Sequence, residues 1–161
     1  MDAVRLIAAG RHALAQSGAA MDIVGEAWQA QALTQGIGSW LAVTGPPELR
    51  SEARGLGEAG GRGCGVLDRA ALIGEGSAPD YPPRAAQLTE VADVRQALLG
   101  LQALLGEVGI ALVGVACATD DEGLYWQCIE SIDAADESSD RVRAVLRRLT
   151  VRERGSASGV A

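Results

Sequence analysis

ALLGLQALLGEVGIALVGVACA, residues 97–118, decides the fold. Its 22 residues hold two polar side chains, Gln102 and Glu107. A run of that length can cross a bilayer. A glutamate near its middle is expensive in lipid, and no Lys or Arg cluster flanks the run to orient it. The remaining segments are amphipathic and able to cover it. A helix apolar on nearly all sides belongs at the centre of a bundle, so no membrane partner is expected. The spacing extends this central helix over 85–118.

Working outward, Val4, Ile7, Ala8, Leu14 and Ala15 share one face of a helix over 2–16. Ile23, Ala27, Ala30, Ile37 and Leu41 do so over 19–43, and Gly45-Pro46-Pro47 ends that helix. Residues 47–67 keep helical spacing through Leu49, Ala53, Leu56, Gly60, Cys64 and Leu67. They do so against six glycines between 55 and 65, each costing about 1 kcal/mol relative to Ala. A surface loop is predicted at 69–83, rich in Gly and Pro. Thr119-Asp120-Asp121-Glu122 fits a capping box, with Thr119 opening a last helix over 120–152. The expectation is an all-α bundle of four or five helices with a long apolar central helix. It forms one domain over 1–154, with a disordered tail at 155–161.

Net charge is −7 over 161 residues. Six Arg and one Glu fall within 141–161, so that stretch is +5 and the rest −12. An acidic body repels phosphate backbones, which argues against a nucleic-acid partner. Lys, Phe and Asn are absent, as in GC-rich coding sequence. The N-terminus starts acidic, and Arg11 and His12 interrupt its apolar stretch, so a cytoplasmic location is expected. Cys64, Cys117 and Cys128 lack CxxC spacing and read as packing residues, with a 117–128 bridge the alternative.

Catalytic motifs do not assemble. Gly55 to Gly60 match GxGxxG, but helical sequence precedes them where a dinucleotide site needs a strand. His12 is the single histidine, with no metal-binding spacing and no nucleophile elbow around it. Neither cofactor nor metal is expected, and no catalytic residues are assigned. Glu107 calls for an ion-pair partner among Arg5, Arg11, Arg50 and Arg54.

The last helix poses a separate question. At 100° per residue, Leu124, Cys128, Ile132, Ala135, Val142, Leu146 and Leu149 form its apolar stripe. Trp126 falls opposite, with Glu130, Asp133, Glu137, Arg141 and Arg148. Trp126 either packs under the loop or the first helix, or anchors an interface. In the second case, two copies laid antiparallel set acidic halves against basic halves.

MDAVRLIAAGRHALAQ, TEVADVRQALLGLQALLGEVG and ATDDEGLYWQCIE resemble a family of short uncharacterised helical proteins from high-GC actinobacteria. That resemblance implies a small cytoplasmic helical protein and supplies no catalytic residues. The function expected is non-enzymatic, through a homodimer or another protein partner. The alternative is a regulatory bundle holding a small molecule between helices, with Trp28, Trp40, Glu107 and Tyr125 lining the pocket.

Overall fold

A computed structural model describes residues 1–71 and 82–159, without the side chains of 69–71. Five helices follow one another: α1 (Ala3–Gln16), α2 (Ala20–Thr44), α3 (Arg50–Ala71), α4 (Val94–Ala118) and α5 (Glu122–Ser158). Short 3-10 turns lie at Pro47–Leu49 and Arg84–Gln87. Among the described residues there is no strand, and one isolated bridge joins Asp2 to Glu90. The fold is all-α, as the sequence spacing predicted.

Four helices close a ring in which α2 packs on α3, α3 on α5, α5 on α4, and α4 on α2. The first helix lies along the α2–α4 seam. Its Ile7 meets Gly100 and its Arg11 meets Glu107, so α1 and α4 run in the same direction. Leu33, Ile37, Leu41, Leu56, Leu101 and Leu105 fill the interior, each almost wholly buried.

Glycine explains how α3 stays helical. A Cβ on Gly38 of α2 would lie 2.3 Å from the Gly57 nitrogen, and one on Gly60 would lie 2.5 Å from the Gln35 nitrogen. The two backbones touch there, and only hydrogen atoms fit between them. Close helix–helix contact offsets the low helix propensity of the Gly-rich stretch.

Boundaries differ from expectation for physical reasons. The fourth helix begins at Val94, not 85, because residues 89–92 are held by the N-terminus. Ala3 donates to the Glu90 carbonyl at 3.0 Å, Thr89 to the Met1 carbonyl at 3.1 Å, and Ala92 to the Asp2 carboxylate at 3.1 Å. The cap of α5 is Asp121, which accepts from the Leu124 amide at 3.1 Å. Thr119 instead accepts from the Asp121 amide at 3.1 Å and closes α4. The last helix continues to Ser158, past the predicted end at 152, with Glu153 bonded to Arg95 of α4. Of the expected loop at 69–83, residues 69–71 are the end of α3, and 72–81 lie outside the described residues.

Polar side chains also enter the core. Gln31 and Ser138 are buried and bonded to each other at 2.8 Å, joining α2 to α5. Gln127 donates to the Val66 carbonyl at 2.6 Å, joining α5 to α3.

Candidate interaction face

On α5, the residues singled out from sequence divide between solvent and α3. Trp126 is 56% exposed and meets Tyr125 edge-on, with ring centroids 5.3 Å apart. Glu130, Asp133 and Arg141 are exposed. Glu137 pairs with Arg62 of α3, and Arg148 with Glu52 at 2.9 Å. The Arg141 guanidinium lies against Gly55, 3.2 Å from where a Cβ would be. Much of the acid-to-base gradient along this face is therefore spent within the chain, on holding α5 to α3.

Trp28, Trp40, Glu107 and Tyr125 do not share a pocket. Trp28 donates its indole N–H to Asp68 at 2.8 Å beside a groove of about 610 Å³ that also reaches Gln35, Ser39 and Cys64. Trp40 packs half-buried against the core. Tyr125 is exposed at the start of α5. Glu107 accepts from Arg11, at 3.0 Å from Nε and 2.5 Å from Nη2. This bond and the Glu107 charge raise the Arg11 pKa above its ordinary value. Arg11 is the partner chosen from the four candidates. The pair edges a groove of about 540 Å³ with His12, Leu14, Ala15 and Ile110.

Cysteine placement separates three cases. Burial, then the Asp68 charge, push the Cys64 thiol up to about 12. Burial also raises that of Cys128. Cys117 is exposed, contrary to the packing role expected of it, and all three thiols are free. Among the described residues no His/Cys/Asp/Glu group has metal-binding geometry, and every buried side-chain N or O has a hydrogen-bond partner.

What the sequence reading missed lies on α4. That helix touches α1, α2 and α5, yet one side stays open to solvent. Ile110 is 77% exposed, Val113 48% and Leu99 44%. Gly106, Gly114 and Cys117 are exposed on the same side, and Ala103 is half-buried there. A Cβ on Gly106 or Gly114 would meet nothing within 4 Å. The helix is long and apolar enough to cross a membrane by length and composition, with 39% of its most apolar window buried.

A sequence profile described as "Family of unknown function (DUF6099)" matches residues 1–148. The chain belongs to that family. The match spans α1 to α4 and runs well into α5, so the DUF6099 region includes both the open face of α4 and Trp126. No curated protein and no solved structure matches the chain.

Proposed function

We propose that this protein acts by binding protein, not by catalysis, and that the open side of α4 is its contact surface. One observation carries the reading. A row of apolar side chains, with Ile110 at its middle, stands in water on a helix whose other sides are packed. A contiguous apolar surface of this kind marks an interaction site more often than a catalytic one. The satisfied interior supports the same view, since no orphaned polar group waits for a substrate among the described residues. Absence of Lys, Phe and Asn fits a high-GC actinobacterial source, and the acidic start of the chain, with Arg11 and His12 interrupting its apolar stretch, supports a cytoplasmic location.

The alternative, small-molecule binding, has the Trp28 groove in its favour. It is the weaker reading because the indole N–H and Asp68 already satisfy each other. A photoreactive residue at position 110, activated in the cells that make the protein, tests the choice. Adducts with a protein chain are expected. Adducts with lipid alone, or none, refute the association reading.

A further inference from the structure

Leu99, Ala103, Gly106, Ile110, Val113 and Cys117 follow one another at steps of four, three, four, three and four residues. This is the heptad seam of a helix that pairs with another helix. It covers about 27 Å of α4 at 1.5 Å per residue. Among the described residues no helix occupies it, since Leu99, Gly106, Ile110, Val113 and Cys117 are all exposed.

The order of sizes along the seam identifies the occupant. Reversed end for end, the seam sets Leu99 against Cys117, Ala103 against Val113, and Gly106 against Ile110. Every layer joins a larger side chain to a smaller one. Interlocking large with small is how facing helices fill space. A parallel copy instead stacks Ile110 on Ile110 and leaves Gly106 facing Gly106, a clash beside a void. In an antiparallel heptad pair, the first and fourth positions face each other, as these layers do. A pattern that complements itself on reversal is what a two-fold contact demands.

Glycine placement agrees. On α3, Gly60 is explained by a backbone pressed against it; on α4, Gly106 has the same shape and no neighbour. Open space beside a helical glycine is not enough alone, as Gly65 shows. On α4 it falls inside the seam, opposite the most exposed side chain.

We infer that α4 pairs antiparallel with α4 of a second copy of this chain, about a two-fold axis at Val108. This rests on the association reading above and names its partner. Positions 99, 106 and 110 are exposed in the single chain, so substitutions there leave the fold intact, and circular dichroism verifies that.

Sedimentation velocity over a concentration series tests the pairing and its register. Wild type is expected to dimerise. Gly106→Ile puts isoleucine against Ile110 and weakens the dimer by a factor on the order of 30 or more, the scale of a central anchor lost. Adding Ile110→Gly exchanges the two sizes, restores each layer and recovers the dimer. Trp126→Ala, on α5 and outside the seam, leaves association unchanged. Oxidised glutathione gives a second readout by removing two electrons and two protons from a facing thiol pair. It links Leu99→Cys chains to Cys117 of the other copy and leaves wild type unlinked.

A dimer that ignores Gly106→Ile, or wild-type chains linked through Cys117, overturns the antiparallel seam. So does a wild type that stays monomeric at all concentrations. In that last case, protein adducts at position 110 retain the association reading with a different partner, while adducts with lipid alone remove both.

Discussion

Gly60→Ala and Gly65→Ala add the same methyl group to the same helix five residues apart, and they should move stability in opposite directions. At Gly60 the new carbon would stand 2.5 Å from the Gln35 nitrogen, 2.8 Å from the Gln31 carbonyl oxygen and 3.0 Å from the Gln35 Cα. The first and last are backbone atoms of α2, and so is the carbonyl, so no side-chain rotation relieves the contact. Reaching an ordinary separation of 3.4 Å requires α2 and α3 to part by about 0.9 Å locally. Overpacking of this kind costs about 2–3 kcal/mol, and the higher helix propensity of Ala returns about 1. The net loss is about 1–2 kcal/mol, or about 2–8 °C in Tm for a chain of this size. At Gly65 nothing lies within 4 Å, so only the propensity gain remains. That variant should be more stable by up to about 1 kcal/mol, a rise of about 2–4 °C. Paired urea and thermal melts followed by circular dichroism compare them. If Gly60→Ala matches or exceeds wild type, the α2–α3 backbone contact does not set this packing.

Glu107→Gln should fold normally and lose less than about 1 kcal/mol, and the loss should shrink in high salt, because the Arg11–Glu107 pair is substantially exposed; urea melts at two salt concentrations check it. Thiol titration at pH 8 on dilute native protein should find one fast cysteine, Cys117, and three after unfolding, since burial holds Cys64 and Cys128 protonated. An unfolded cysteine ionises near pH 9 and folded Cys64 near 12, so the unfolded chain sheds its proton first as pH rises. Stability should therefore fall between about pH 9 and 12, and Cys64→Ala should flatten that fall in pH-dependent melts.

Helices were legible wherever one face met the core at three- and four-residue steps, including the Gly-rich α3, whose spacing outweighed its propensity. Residues 85–93 also keep helical spacing but bond to Met1, Asp2 and Ala3, and no local signal announces a pairing that distant in sequence. Around residue 120, Thr119 and Asp121 are both competent caps, and sequence cannot rank them once α4 uses Thr119 as its end. Along α5, Gln127, Ser131 and Ser138 are buried because Val66, Gln31 and the helix's own carbonyls receive their donors. The open seam of α4 was written in the sequence throughout. It stayed hidden because that helix is apolar on opposite faces, and periodicity alone does not say which of two apolar stripes meets the core.

The bond between the N-terminus and residues 89–92 sets a timetable for synthesis. The first helix has its groove only after α4 has been made, so α1 must wait on the ribosome while most of a hundred residues follow it. By contrast, α2 and α3 are neighbours in sequence as well as in space, and their hairpin has both halves long before the chain is finished. The helix that precedes α2 is thus among the last to find its place, and the nascent chain carries Leu6, Ile7 and Leu14 uncovered until their partners arrive.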